Sequence, residues 1–275
     1  MKLAFLYAGQ GAQHVGMGRD LYEIYPAFRQ VLDSAPVDFD LKKLCFDGPE
    51  DQLNDTRYTQ PCMVAFAAGV TALLREAGIT PDYAAGLSLG EYSALQCAGV
   101  FDAKTAISLV AFRGQAMADA VQGRPCGMAA VLGMDRDALK AVCSEASDAG
   151  VVECTNFNCP GQIVISGDAA AVDKAGELAK AAGAKRVLPL KVSGPFHTSL
   201  MAPAGDALRE KFQSVDFGSM EMPVLFNCLG DLKGEADTIP ELLEQQVQSS
   251  VYLEDTIRRL GELGVDTVVE IGPGR

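Results

Sequence analysis

The sequence predicts an α/β protein: a large hydrolase-like α/β domain on a mainly parallel sheet, with a small inserted ferredoxin-like α+β subdomain. Three observations predict it. The chain opens on a compact apolar run, Lys2 to Tyr7, followed by a glycine loop through Gly18 and then a helix. Strand, loop, helix is how alternating α/β folds begin. A second such unit surrounds Gly86-Leu87-Ser88-Leu89-Gly90, and G-x-S-x-G is the pattern of a serine held at a sharp strand-to-helix turn. From Gly127 the rhythm becomes strand, helix, strand, strand, helix, strand, the order of a ferredoxin-like unit. These readings assign 1–124 and 192–275 to the large domain and 125–191 to the insert.

Taken in order, the first strand is too short for a signal-peptide core and runs straight into its loop. Gly9-x-Gly11 after a strand suggests a dinucleotide fingerprint, but the third glycine of that pattern falls on His14. The match fails there, leaving phosphate binding as the lesser alternative for this loop. Leu21 to Leu32 reads as a helix, and Asp47-Gly48-Pro49 opens a loop. Gln60-Pro61 precedes a long apolar helix, Cys62 to Ala77, stopped by Gly78. Tyr83 to Ala85 is the strand before the serine turn, and Glu91 to Ala98 the helix after it, ended by Gly99. Asp102 caps a helix from Ala103 to about Val121.

In the insert, Met128 to Leu132, Val151 to Thr155, Ile163 to Ser166 and Arg186 to Leu190 read as strands. Asp135 to Ala149 and Ala169 to Ala182 read as helices, and Asn156 to Gln162 as the loop joining the middle strands. After the Gly194-Pro195 turn come His197 and a helix from about Leu200 to Phe212. The remainder reads as a strand (Pro223 to Asn227), two helices (Ile239 to Gln246, Leu253 to Leu263) and a strand (Thr267 to Ile271).

Composition narrows the function. Hydrophobic residues are 48% and charged residues 21% of the 275, which leaves room for a sizeable core. A net charge of −13 argues against a nucleic-acid backbone or an anionic membrane as main partner. No apolar run reaches the roughly 18 residues of a spanning helix. The eight cysteines contain no C-x-x-C pair, so they read as reduced core thiols of a cytoplasmic protein. Two histidines without ligand-spaced partners make a zinc site improbable.

Three side chains carry chemistry. Ser88 at the turn is a candidate nucleophile, and the backbone N–H of Leu89, opening the next helix, would face an oxyanion formed there. The alternative is a glycine-rich turn with no chemistry. A serine hydroxyl needs an adjacent base; His197, after a rigid turn, is the better of two candidates, the alternative being a satisfied loop histidine. His14 lies too close to the first glycine loop to be preferred. Arg113 falls on the apolar stripe of its helix, where a cation needs an anionic partner. That partner is either an internal acid, with snorkelling to water as a further alternative, or a carboxylate brought by a substrate.

Together these residues resemble the malonyl-CoA:acyl-carrier-protein transacylases of bacterial fatty-acid synthesis and the acyltransferase domains of polyketide synthases. The resemblance spans nearly the whole chain. It rests on Gly9-Gln10-Gly11-Ala12-Gln13, Gly86 to Tyr92, Arg113-Gly114 and Asn156-x-Asn158-x-Pro160-x-Gln162. It continues through Phe196-His197, Gln246 and Glu270-x-Gly272-Pro273-Gly274.

It implies malonyl transfer from malonyl-CoA to the phosphopantetheine thiol of acyl carrier protein, in two steps through an acyl-serine at Ser88. His197 would be the general base and then acid. The N–H groups of Gln10 and Leu89 would form the oxyanion hole, and Arg113 would grip the free carboxylate. Phe196 would crowd an α-methyl group, and the main-chain carbonyl of Gln246 would orient the histidine. No metal or redox cofactor is implied, and the phosphopantetheine belongs to the partner. An acyl-carrier-protein or acyl-CoA thioesterase using the same pair of residues is the competing reading. Acidic carrier proteins meeting an acidic chain imply a local basic patch, with Lys185, Arg186 and Lys191 as candidates.

The chain departs from the family pattern at Leu87, where histidine is usual, and at Tyr7-Ala8 in place of Phe-Pro. Ser250-Val251-Tyr252-Leu253 replaces a commoner Pro-Val-x-Trp. The sequence also ends just past Gly272-Pro273-Gly274, where the family commonly continues into a closing helix.

Overall fold

A computed structural model describes residues 1–121, 123–190 and 194–274. Its strands are β1 (Leu3–Tyr7), β2 (Tyr83–Gly86), β3 (Cys126–Leu132), β4 (Val152–Cys159), β5 (Gln162–Asp168), β6 (Arg186–Pro189), β7 (Leu225–Phe226), β8 (Asp231–Leu232) and β9 (Thr267–Ile271). The helices of its first half are α1 (Arg19–Ile24), α2 (Pro26–Asp33), α3 (Leu41–Asp47), α4 (Glu50–Leu53), α5 (Thr56–Glu76), α6 (Gly90–Cys97) and α7 (Ala103–Ala120). Those of its second are α8 (Arg136–Ala146), α9 (Ala169–Ala181), α10 (Ala202–Phe212), α11 (Ile239–Val247) and α12 (Leu253–Glu262). The chain divides into two compact units, the first made of Met1–Gln115, Val215–Phe226 and Arg259–Arg275, the second of Ala116–Ser214 and Asn227–Arg258.

The first unit is built on a parallel sheet of order β2-β1-β9. Tyr7 pairs with Gly86 on one side and Ile271 on the other, and Val224 adds a parallel bridge to Ala84. The middle strand buries Leu3, Ala4, Phe5 and Tyr7, as a parallel strand covered on both faces must. β1 and β2 therefore end side by side, and the loops leaving their carboxyl ends, Ala8 onward and Leu87 onward, emerge together. Open α/β sheets place their sites at such ends.

Three helical readings differ from the sequence expectation. α5 begins at Thr56, not Cys62: the Asp55 side chain accepts from the Arg57 backbone N–H, and Pro61 is accommodated in the second turn. The cap outweighs the proline, because a proline so near the N-terminus removes only one hydrogen bond. Leu21 to Leu32 is two helices, since Tyr25 before Pro26 is forced extended, with φ −110° and ψ 114°. α3 and α4 occupy a stretch the sequence left unassigned, and the Asp40 side chain caps the first of them.

The second unit contains the four-stranded sheet β4-β5-β3-β6. Its neighbours all pair antiparallel, and α8 and α9 share its core through Leu139, Val142, Ala175 and Ala179. This is the ferredoxin-like order. Asn156 to Asn158, expected in a loop, lie in β4, which runs on to Cys159. Two register shifts, between Cys154 and Asn156 and between Phe157 and Cys159, bulge the strand and hide its alternation.

The unit reaches beyond 125–191 because 250–258 is stitched onto this sheet. Phe157 N–H donates to Val251 O at 2.9 Å, and Phe157 stacks on Tyr252 at 5.0 Å. Arg136 pairs with Asp255 at 2.7 Å and Glu254 at 3.1 Å. No helix among the described residues is long and apolar enough to cross a membrane.

Backbone contact at the serine turn fixes the junction of β1, β2 and α6. A Cβ on Gly86 would lie 2.0 Å from the Gly90 carbonyl carbon, and one on Gly90 would lie 2.2 Å from Tyr7 O. Gly90→Ala is therefore expected to cost about 3–5 kcal/mol or prevent folding. Gly261→Ala is the control: it lies in α12, where an added Cβ meets nothing within 4 Å, and should gain about 0.5–1 kcal/mol. Urea unfolding of the two variants checks both signs.

Candidate active site

The turn after β2 forces Ser88 into a left-handed conformation, φ 52°, which costs a non-glycine residue about 1 kcal/mol or more. The turn is held by its own backbone: Leu87 N–H donates to Tyr7 O at 2.9 Å, Gly90 N–H to Leu87 O at 2.9 Å and Glu91 N–H to Ser88 O at 3.1 Å. Leu89 sits at the N-cap of α6, where helix N–H groups present partial positive charge. The glycine loop after β1 presses against the same turn, since a Cβ on Gly9 would meet Leu87 O at 2.6 Å and Leu87 Cγ at 3.3 Å. Gln10, the next residue, is tied down by its side chain, Nε2 donating to Thr56 Oγ1 at 3.0 Å.

Arg113 lies on α7 and is 1% exposed. Gly114 beside it lets α7 close onto the start of α5; a Cβ there would stand 2.7 Å from Thr56 O. The guanidinium donates from Nη1 to Gln60 Oε1 at 3.0 Å and from Nη2 to Ser88 Oγ at 3.1 Å, and lies 5.5 Å from the centre of the Tyr92 ring. Burial pulls its pKa below the ordinary arginine range, while the Tyr92 phenol and the buried Glu91 carboxyl act the other way. An arginine stays charged regardless. Burial also pushes the Tyr92 phenol above its usual value, so it stays neutral.

His197 stands in the second unit, 4% exposed, on another left-handed turn with φ 62°. Thr198 braces that turn, its Oγ1 donating to Pro195 O at 2.6 Å, and Phe196 beside it is buried. The ring Nδ1 lies 2.8 Å from the main-chain oxygen of Gln246 on α11. A carbonyl only accepts, so Nδ1 carries the proton and Nε2 keeps the lone pair. That tautomer is the one a general base needs. The candidates thus form two groups: Gln10, Ser88, Leu89 and Arg113 within the first unit, and Phe196, His197 and Gln246 within the second.

Comparison with known proteins gives the family. The acyl transferase domain family matches residues 4–274. The malonyl CoA-acyl carrier protein transacylase of Bacillus subtilis is 45% identical over 277 residues, covering 100% of this chain and 87% of the relative. The chain belongs to this acyltransferase family. Among solved family members, the acyl-carrier-protein S-malonyltransferase of Burkholderia pseudomallei is 44% identical with a TM-score of 0.95, covering 100% of this chain and 90% of that one. A malonyl-transacylase in complex with its type II PKS acyl-carrier protein is 40% identical with a TM-score of 0.96, over the same shares of the two chains.

Two side chains that lie against Arg113 were not singled out in the sequence, Gln60 and Tyr92. Gln60 was visible only as the residue before a proline, and its signal was the cap at Asp55, which places it on the second turn of a helix. Leu87, at the usual histidine position, packs beside Gly9. His14 is exposed in the first glycine loop. Lys185 and Arg186 are exposed at the start of β6, and Lys191 falls outside the described residues.

Ser88 is strained, yet its Oγ takes a hydrogen bond from a buried guanidinium, so removing its side chain has two opposed effects on stability. Ser88→Gly is expected to relieve about 1 kcal/mol of backbone strain and to lose a comparable amount through the missing acceptor, and, where Ser88 is the nucleophile, to abolish acyl-enzyme formation. Chemical denaturation read beside an acylation assay tests the pair of effects.

Proposed function

We propose that this chain carries a malonyl group from malonyl-CoA to the phosphopantetheine thiol of acyl carrier protein, supplying fatty-acid or polyketide elongation. The observation that carries the reading is the buried Arg113 guanidinium hydrogen-bonded to Ser88 Oγ at 3.1 Å. A cation kept out of water beside a nucleophile suits an acyl group with a carboxylate at its far end.

In the first half-reaction, Ser88 Oγ attacks the thioester carbonyl as His197 Nε2 takes its proton. The N–H groups of Gln10 and Leu89 receive the oxyanion; losing one such donor typically costs about 3–4 kcal/mol. The C–S bond breaks, the proton passes to the leaving CoA sulfur, and malonate remains as an ester on Ser88 with its carboxylate on Arg113. In the second half-reaction the carrier thiol gives its proton to His197 and attacks that ester, and Ser88 recovers the proton. A thioester is already activated, so the cycle requires neither metal nor redox cofactor.

Acetyl-CoA would leave the guanidinium desolvated and without its anion, which disfavours it. Phe196 beside the histidine would crowd an α-methyl group, worth roughly 1–3 kcal/mol against methylmalonyl. We place the reaction in the cytoplasm, a reading supported by eight cysteines that are all free thiols.

Two experiments test this. Incubation with malonyl-CoA should add one malonyl mass to the intact protein, and Ser88→Ala should show no adduct; a wild type that stays unmodified, or hydrolyses acetyl-CoA without carrier protein, supports the thioesterase instead. Lys185→Glu with Arg186→Glu should raise the carrier-protein KM about tenfold at low salt with kcat unchanged. Steady-state kinetics with an unchanged KM would remove those two residues from the docking surface.

A further inference from the structure

His197 keeps its left-handed backbone, φ 62°, without the freedom of a glycine, so the groups around it must fix that conformation. Thr198 does part of this from within the turn. Ser199, the next residue, is held from outside it. Its N–H donates to Glu153 Oε2 at 3.1 Å, and its Oγ donates to Glu153 Oε1. Residues 199–201 form a single 3₁₀ turn running into α10, and the first N–H groups of such a turn have no helical acceptor of their own. A carboxylate that takes both hydrogens of one residue makes two charge-assisted bonds of fixed direction. It grips the main chain two residues past the imidazole. Glu153 stands on β4, and so does the support of the ring's other partner. Ser250 Oγ donates to Cys154 O at 2.8 Å, and Val251 N–H donates to Thr155 O at 2.8 Å. Those bonds follow closely on Gln246, whose main-chain oxygen meets Nδ1 of His197. Glu153, Cys154 and Thr155 thereby hold both the chain that carries the imidazole and the chain that orients it, all within the second unit.

We propose that Glu153 is a positioning residue for the acyl transfer: from the four-stranded sheet it anchors the His197 turn through Ser199 and so keeps the ring in register with the Gln246 carbonyl. The inference rests on the reading of His197 as general base, and it gives the ferredoxin-like sheet a part in the chemistry. Glu153 acts through the geometry of its two bonds. Glutamine can reproduce them, its Oε1 accepting from Ser199 N–H and its Nε2 donating to Ser199 Oγ. Alanine can make neither.

The test compares full-length wild type, Glu153→Ala, Glu153→Gln, Ser199→Ala and the Glu153→Ala/Ser199→Ala pair, by steady-state malonyl transfer at a temperature where each is folded by circular dichroism. Glu153→Ala is expected to lower kcat about tenfold with the malonyl-CoA KM within about twofold of wild type, because the histidine acts in the transition state. Glu153→Gln should restore kcat to within about twofold. Ser199→Ala, which keeps its backbone N–H, should lose about fourfold, and the pair should be no slower than Glu153→Ala alone, as two ends of one contact require. A Glu153→Ala kcat within about twofold of wild type overturns the proposal. So does a Glu153→Gln as slow as Glu153→Ala, or a pair whose losses multiply. If Glu153→Ala does not fold, Ser199→Ala decides, and a kcat within about twofold of wild type overturns the proposal. Two further proteins separate the levels of inference. A wild type without a malonyl adduct removes the transferase reading, and a His197→Ala that acylates Ser88 at the wild-type rate removes the base. A wild type that loads malonyl beside an undiminished Glu153→Ala removes only the anchor.

Discussion

One constraint organises the first unit: a permanently charged side chain is held out of water next to a serine. Burying an isolated cation is among the most expensive things a fold can do. The surroundings of Arg113 are arranged to make it tolerable. Gly114 allows α7 to close against α5, Gln60 and Ser88 take hydrogen bonds, and an aromatic face lies nearby. Each contributes partial compensation. In the proposed cycle the carboxylate of the acyl group adds to that compensation.

The start of α5 is the element that joins these parts. Thr56 receives the Gln10 side chain and meets Gly114 through its carbonyl, and Gln60, one turn on, holds the guanidinium. The glycine loop after β1 and the arginine helix are thereby referred to one rigid origin. Precision at the site comes from a capped helix terminus, and Asp55, which touches no substrate atom in the proposed cycle, sets where that terminus begins.

Much of this was legible in the sequence because it depends on local pattern. The strand–turn–helix at Ser88 was readable from two glycines at fixed spacing, and contact distances at those glycines show why no other residue fits. The ferredoxin-like order was readable because its strands and helices alternate cleanly. Arg113 was readable as an anomaly, a charge on an apolar stripe. What escaped was written in non-local terms. Gln60 gives no periodic signal, and its contact with Arg113 exists only because α7 folds back across α5. Tyr25-Pro26 and Pro61 carry the same punctuation with opposite outcomes, one breaking a helix and the other absorbed by it, because a side-chain cap stands upstream of only the second. The bulges in β4 erased the alternation that would have revealed Asn156 to Asn158 as strand.

The partner of the histidine ring is a peptide oxygen, not an acid. Aspartate in that role would have its own protonation midpoint and would add a second event to any acid-side loss of rate; an amide carbonyl does not titrate in that range. The carbonyl therefore contributes no protonation event of its own. The same oxygen is present whatever amino acid occupies position 246, so a residue-by-residue substitution survey would look straight past it. Damage there would come only by displacing the main chain, through the fully buried amide side chain of Gln246.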